Sequence, residues 1–141
     1  MATGSVLKRN KYDSFAKWSD QTVSSGSWAT NTGTTTEERK PSGLESSGHY
    51  NLELDVAGTY LVLYHANFAI TNTTGLRGIR FYINEVSSGE EFIAPTANGT
   101  AFTTVRIVTS NGSTNTRMGV FQGSGASATI ADIFIAAIKL N

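Results

Sequence analysis

The chain has 141 residues, with 11 basic and 11 acidic side chains and a formal net charge of zero. This length predicts one domain with a single core. The balanced charge argues against nucleic acid as a partner, because no basic stripe attracts phosphate. The sequence contains no cysteine, which excludes disulfides, thiolate nucleophiles and cysteine-based zinc sites. Abundant polar turn-forming residues, together with β-branched and aromatic ones, favour an all-β protein of short strands.

The N-terminal segment, residues 1–11, is small and polar and carries three basic side chains, Lys8, Arg9 and Lys11. Such a segment predicts a solvated tail, and an arm that docks on an acidic neighbour is the alternative. It lacks the apolar stretch of a secretory signal, so we expect synthesis in the cytoplasm without a leader. Residues 12–141 are predicted to form the single domain.

The first part of the domain combines aromatic residues with turn signals. Ser24-Ser25-Gly26 predicts a turn between two short strands, and Trp18 and Trp28 on either side are expected in the core or in a subunit contact. Residues 29–48 contain almost no apolar side chain and include Pro41. This composition predicts a long exposed loop.

Alternating side chains predict the strands of the middle third. Residues 50–56 alternate apolar and polar positions, so that one face is buried. The strand after Gly58 also alternates, but Leu61 and Leu63 make its second face apolar as well. Either a covering loop or a second subunit would bury that face, and we favour the subunit. Residues 77–84 alternate again and predict the next strand.

The last third completes the pattern. Turn chemistry at residues 86–91 separates two strands, and Asn111-Gly112 predicts a two-residue hairpin between residues 105–109 and 118–121. Residues 133–138 are all apolar, and a run of this length predicts one strand buried on both faces. The run is too short to cross a membrane. Strands at this spacing, without a helical unit, predict a β-sandwich or jelly roll.

No catalytic, metal or cofactor site is predicted. His49 and His65 lie on neighbouring predicted strands, but acid–base chemistry would need a carboxylate or nucleophile beside them, and a metal would need a third ligand. Glu90 and Glu91 point to opposite faces of a strand and cannot flank one bond. Phosphate-binding, dinucleotide-binding and hydrolase motifs are absent. We therefore expect a protein that is not an enzyme and has no cofactor.

Several short motifs occur in a recognisable order. They are Gly58, Tyr60 and Val62; Arg80 and Asn84; Gln122, Ser124 and Gly125; and the final strand Phe134 to Leu140. In order and spacing they resemble the signature strands of the tumour necrosis factor-like jelly-roll superfamily, in the branch typified by the globular head of the complement recognition protein. The resemblance covers roughly residues 20–141. It implies a jelly-roll β-sandwich of about ten antiparallel strands that forms a compact homotrimer, with both chain ends near its base.

Within that superfamily, a stand-alone domain with a short polar N-terminus and polar loops is similar to bacteriophage virion proteins, including capsid decoration or cement knobs. The resemblance implies a structural virion protein that binds the major capsid protein on the outer surface of a phage head and stabilises it. The basic side chains Lys8, Arg9 and Lys11 would form a capsid-docking arm. The candidate trimer contacts, with the face of each strand left open, are Tyr60, Val62, Tyr64, Phe121, Phe134, Ile138 and Leu140.

Two other functions remain open. The first is a receptor- or carbohydrate-binding module of a phage tail or fibre, in which Trp18, Trp28 or Tyr82 would stack on the sugar rings of a host-surface glycan. The second is a calcium-bearing recognition head like those of the animal members of the superfamily.

Overall fold

The structure, a computed structural model, describes residues 14–30, 35–39 and 51–141. This part of the chain consists of eleven β-strands joined by turns and loops, which confirms the predicted all-β class. The strands are β1 (Ser14–Trp18), β2 (Gln21–Val23), β3 (Ser27–Thr30), β4 (Thr35–Arg39), β5 (Leu52–Leu54), β6 (Gly58–Phe68), β7 (Arg77–Ile83), β8 (Val86–Ile93), β9 (Thr100–Ser110), β10 (Thr114–Gln122) and β11 (Ala128–Lys139).

The strands form two antiparallel sheets that pack face to face. The six-stranded sheet has the order β4-β1-β11-β6-β9, with β2 paired to the start of β11. The five-stranded sheet has the order β3-β10-β7-β8, with β5 paired to β10. Most strands that are consecutive in sequence lie in different sheets, so the chain passes repeatedly from one sheet to the other. This connectivity makes the sandwich a jelly roll, as predicted.

The core lies between the sheets and follows the two-residue period of the strands. In β6, Tyr60, Val62 and Tyr64 are fully buried, whereas the side chains between them are half-buried. The facing strand β7 contributes Phe81, whose ring centroid lies 4.9 Å from that of Tyr64. Full burial of one such side chain stabilises the fold by about 2 kcal/mol. The two-residue period of the sequence is therefore confirmed on this strand.

The predicted hairpin at Asn111-Gly112 is wrong. The turn itself forms, because the side chain of Asn111 accepts a hydrogen bond from the amide of Ser113 at 3.0 Å. However, β9 before the turn pairs with β6, whereas β10 after it pairs with β7 in the other sheet. Turn chemistry is local, and it does not determine which sheet each flanking strand joins.

The tight hairpin lies instead between β7 and β8. Asn84 and Glu85 both adopt positive φ, at 47° and 67°, as a two-residue turn requires. Ile83 and Val86 are then paired directly across it. The sequence placed this turn at residues 86–91, most of which instead belong to β8.

The predicted long loop at residues 29–48 also needs correction. Its first residues end β3, and residues 35–39 form β4, which pairs with β1. β4 is polar because an edge strand is held by backbone hydrogen bonds to one neighbour and needs no apolar side chain. Residues 31–34 and 40–48 of the predicted loop, and the whole of the predicted arm at 1–11, lie outside the described residues.

Candidate subunit interface

Part of the outer face of the six-stranded sheet, on β11, β6 and β9, is apolar. On β9, Val105 and Ile107 are 51% and 63% exposed, and at the end of the chain Ile138 and Leu140 are 49% and 56% exposed. Large apolar side chains that share one exposed surface mark an interaction site more often than isolated ones do. The residues of this apolar outer face are Leu61, Leu63, Val105, Ile107, Phe134, Ile138 and Leu140.

The predicted trimer contacts on β6 lie on the wrong face of the strand. Tyr60, Val62 and Tyr64 point into the core and are 0% exposed, so these side chains have no surface to offer to a second subunit. The alternate positions, Leu61 and Leu63, are half-buried and face outward. A subunit contact through β6 therefore requires Leu61 and Leu63 in place of the three buried residues.

The other predicted contacts divide between the two sheets. On β11, Ile133 and Ile135 point into the core, which places Phe134 and Ile138 on the apolar outer face. Leu140 follows in the same alternation, directly after the strand. Phe121 lies elsewhere, on the outer face of the five-stranded sheet, where it contacts Trp28. In the single chain this strand is therefore buried on one face, and its second face is available for the subunit contact.

A stack of rings lies along one margin of the apolar outer face. Phe134 of β11 lies between Phe15 of β1 and His65 of β6, with ring centroids 5.6 Å and 4.7 Å apart. Nδ1 of His65 is 2.7 Å from the hydroxyl of Thr103 on β9. Burial lowers the pKa of His65 from its usual 6.5, and the nearby carboxylate of Asp132 partly opposes this shift.

The three aromatic residues proposed for sugar stacking lie in different parts of the fold. Trp18 is 1% exposed and belongs to the core. Trp28 and Tyr82 lie on the outer face of the five-stranded sheet, where each carries a guanidinium over its ring: Arg80 lies 4.2 Å from the Trp28 centroid and Arg117 lies 4.9 Å from that of Tyr82.

We name the Trp28 group the aromatic row. It consists of Trp28, Phe121, Gly78 and Phe92, which are paired in this order across β3, β10, β7 and β8. Residues paired across neighbouring strands point to the same face, so the three rings lie together on the outside of the sheet. This grouping could not be predicted from the sequence, since the rings come from three strands far apart in the chain.

Neither a protein-family model nor a curated protein matches this sequence. Several solved structures do match in fold. The globular domain of zebrafish complement 1qA protein aligns with a TM-score of 0.60 and 11% identity over 91% of this chain and 97% of its own. The PRD1 vertex protein P5 aligns with a TM-score of 0.60 and 14% identity over 92% of this chain and 96% of its own. The Eiger TNF of S. frugiperda aligns with a TM-score of 0.58 and 8% identity over 92% of each chain.

The protein has a tumour necrosis factor-like jelly-roll fold. The likeness covers nearly all of both chains in each comparison. At these identities the likeness is one of fold alone. Function must therefore be argued from the surfaces of this jelly roll.

Several chain segments lie together at one end of this jelly roll. At one end the side chain of Asn141 accepts a hydrogen bond from the amide of Thr59 at 2.8 Å. The neighbouring Gly58 is paired with Ser110, so the loop at 111–113 lies at the same end. The first residue of β1, Ser14, pairs with Ala137, four residues before Asn141. We call this end the base.

Residues 14–30, 35–39 and 51–141 contain no group of three acidic, histidine or cysteine side chains placed to hold a metal ion. Nor do they contain a helix of sufficient length and hydropathy to span a bilayer.

Proposed function

We propose that this protein is a structural virion protein: a homotrimeric knob that binds the major capsid protein on the outer surface of a phage head and stabilises the shell. The observation that carries the proposal is the apolar outer face on a jelly roll whose fold is shared with the PRD1 vertex protein P5. On this view the molecule works by adding buried contact area, and it has neither an active site nor a cofactor.

The trimer rests on the exposed side chains of the six-stranded sheet. A stable interface buries about 800 Å² per partner, and the apolar outer face extends over β11, β6 and β9, which are three adjacent strands. Beside Ile107, a cavity of about 280 Å³ opens at the sheet edge, lined in part by Ile83 and Arg106. In a threefold ring each contact joins two different patches, so in the proposed trimer a side chain of a second copy would enter this cavity. The resemblance to the superfamily implies the same threefold assembly.

Capsid docking is assigned to the base and the adjoining arm. The described chain begins at β1, whose first residue lies next to the end of β11. Residues 1–11 precede this point and carry Lys8, Arg9 and Lys11. A basic arm of this kind binds an acidic or polar shell surface. Each arm contributes little by itself, but three arms held on one trimer bind together with avidity.

Immunogold electron microscopy of virus particles from the source of this sequence tests the location. We expect label over the whole head. Label confined to a tail or fibre would instead support the alternative, a receptor- or carbohydrate-binding module, and the absence of label from every particle would exclude both virion functions.

Binding of the purified trimer to undecorated heads tests the arm. Removal of residues 1–11 should abolish capsid association without changing the oligomeric state. As a milder variant, replacement of Lys8, Arg9 and Lys11 by Gln should weaken association in proportion to the charges removed, and the difference from the wild type should shrink at higher salt, which screens those charges. Normal head binding by the truncated trimer would remove the arm from the mechanism.

A further inference from the structure

The aromatic row on the five-stranded sheet is a second exposed surface, on the opposite side of the sandwich from the apolar outer face. The ring centroids of Trp28 and Phe121 are 5.4 Å apart, those of Trp28 and Phe92 are 5.6 Å apart, and those of Phe92 and Phe121 are 5.7 Å apart. The three rings thus form one cluster rather than separate pairs. Phe92 remains 44% exposed within it.

Gly78 allows the rings to meet. It occupies the position between Phe121 and Phe92 in the row. A Cβ atom at this residue would lie only 2.8 Å from the ring of Phe92 and 3.0 Å from that of Trp28. Any larger residue would push the rings apart. The glycine therefore lets Trp28 and Phe92 close over the strand and form a continuous apolar surface.

A pair of opposite charges lies in the next row of the same face. Arg80 is paired with Glu90 across β7 and β8. Nε and Nη2 of Arg80 both donate to Oε2 of Glu90, at 2.9 Å and 2.6 Å. The same guanidinium lies 4.2 Å from the centroid of Trp28. The side chains of Arg80 and Glu90 are 26% and 42% exposed. A hydrogen-bond donor and an acceptor whose charges cancel therefore lie beside the rings at the surface.

We propose that the aromatic row, with Arg80 and Glu90 beside it, binds an uncharged saccharide. The C–H groups on one side of a pyranose ring are apolar and weakly positive, and they pack on the negative face of an aromatic ring. The hydroxyl groups of the same sugar both donate and accept hydrogen bonds. An arginine next to a carboxylate can satisfy neighbouring hydroxyls in both roles.

The charge pair argues for a saccharide over other occupants of an aromatic surface. A proline-rich peptide offers mainly carbonyl acceptors, which can bind Arg80 but add no donor to the carboxylate of Glu90 beyond those of Arg80. A purely apolar partner would remove Arg80 and Glu90 from water without replacing their hydrogen bonds to it. An anionic ligand meets a guanidinium that Glu90 already neutralises. A neutral polyol with an apolar face has none of these disadvantages.

The row is also well placed for recognition. β10 begins at the base, after the loop at 111–113, and reaches Phe121 seven residues later, about 23 Å along the strand. The aromatic row thus lies towards the end of the jelly roll farthest from Asn141. A molecule anchored through its base would present the row outward. The saccharide proposal does not depend on the capsid role, since it concerns a different surface.

A glycan array with the full-length protein, followed by NMR titration with the neutral sugars that bind, tests the proposal. We expect binding to neutral oligosaccharides and a shift of the indole N–H of Trp28. Phe92→Ala should weaken binding about tenfold, because a stacking ring is lost. Phe92→Leu keeps most of the apolar volume but removes the ring face, and it should lose nearly as much. The matched control is Val86→Ala, at an exposed apolar residue at the far end of β8, which should bind normally.

Glu90→Gln separates the polar contribution from stacking. It preserves the shape of the side chain and removes the charge that holds Arg80, so neutral-sugar binding should weaken while the fold is retained. Several results would overturn the proposal: no neutral sugar bound at millimolar concentration, binding of acidic glycans alone, or unchanged binding by both Phe92 variants. Dissociation of the oligomer by Phe92→Ala would identify the row as a subunit contact instead. None of these results bears on the immunogold test, so the two proposals fail separately.

Discussion

The imidazole of His65 stacks on the ring of Phe134, with centroids 4.7 Å apart and ring planes 20° apart. This pair joins β6 to β11 at the margin of the apolar outer face, in the row next to Leu63 and Val105. The stacking and the hydrogen bond to Thr103 hold the imidazole against the sheet, where burial lowers the pKa of His65. A titratable group therefore lies in the surface proposed for subunit contact.

Acidification should destabilise the protein through His65. The unfolded chain takes up a proton at about the usual pKa, whereas the folded state does so only at lower pH. The stability linked to His65 is therefore fully present above pH 6.5, and it is lost as the pH falls from there through the folded-state pKa. Urea unfolding between about pH 7.5 and about pH 5.5 measures this loss. His65→Gln should abolish the His65-linked part of the slope.

The control is the second histidine. His49→Gln should leave the slope caused by His65 in place, because it removes a different titrating group. An undiminished pH dependence in His65→Gln would show that other groups account for it.

A charge on the apolar outer face should separate the subunits without unfolding them. Ile107 is 63% exposed in the single chain, so Ile107→Lys adds no buried charge to the monomer. In a trimer, the same lysine would be removed from water without a partner, which is strongly unfavourable. Light scattering should give three times the 15.0 kDa subunit mass for the wild type and the single subunit mass for Ile107→Lys, with an unchanged circular dichroism spectrum.

Ser87→Lys is the matched control for that experiment. Ser87 is exposed and paired with Tyr82, which places it on the outer face of the other sheet. The Ser87→Lys variant adds the same charge and should remain trimeric. A wild type that is monomeric at all concentrations, or a trimeric Ile107→Lys, would contradict the proposed interface.

Much of the fold could be predicted from the sequence because side-chain alternation is a local signal. Tyr60, Val62 and Tyr64 were grouped on one face of a strand, and the structure buries all three. The face for subunit contact could not be chosen from the sequence, because Leu61 and Leu63 make both faces of this strand apolar. Alternation shows which residues share a face of the strand. Which face packs in the core and which faces outward depends on how the two sheets pack together.

Features that depend on strand pairing could not be predicted. Asn111-Gly112 has the chemistry of a hairpin turn, yet its flanking strands join different sheets. Trp28 and Phe92 are more than sixty residues apart in sequence and meet only because β3, β10, β7 and β8 are adjacent in one register. Single residues carry no information about such register, so the aromatic row became visible only in the structure.

A buried hydroxyl pair links the two sheets and should contribute measurably to stability. The hydroxyl of Thr116 donates to the carbonyl of Tyr82 at 2.9 Å, so the hydroxyl of Tyr64 donates to Thr116 at 2.7 Å. Burial raises the pKa of Tyr64 to about 12, so this donor stays protonated at neutral pH. Tyr64→Phe should lower the free energy of unfolding by about 1 kcal/mol. Tyr64→Ala, which also empties the core, should cost about 4 kcal/mol. Equal losses for both variants would mean that the ring contributes nothing beyond its hydroxyl.

The contact between Gly75 and Gly123 joins two loops at the end opposite the base. The amide of Gly123 donates to the carbonyl of Leu76 at 3.0 Å, and a Cβ atom at Gly75 would overlap the carbonyl of Gly123. Gly75 also has a φ of +66°. Gly75→Ala should therefore suffer both backbone strain and a steric clash, and lower the free energy of unfolding by about 3 kcal/mol.

Gly26→Ala isolates the backbone part of that loss. Gly26 has a similar φ of +77°, but nothing lies within 4 Å of an added Cβ atom. Gly26→Ala should lower the free energy of unfolding by only about 1 kcal/mol, which is the strain of an alanine in the left-handed conformation. The difference between the two variants in chemical unfolding measures the close approach of the loops. If the two losses were equal, the loops could separate freely, and the contact between Gly75 and Gly123 would contribute nothing to holding this end of the jelly roll together.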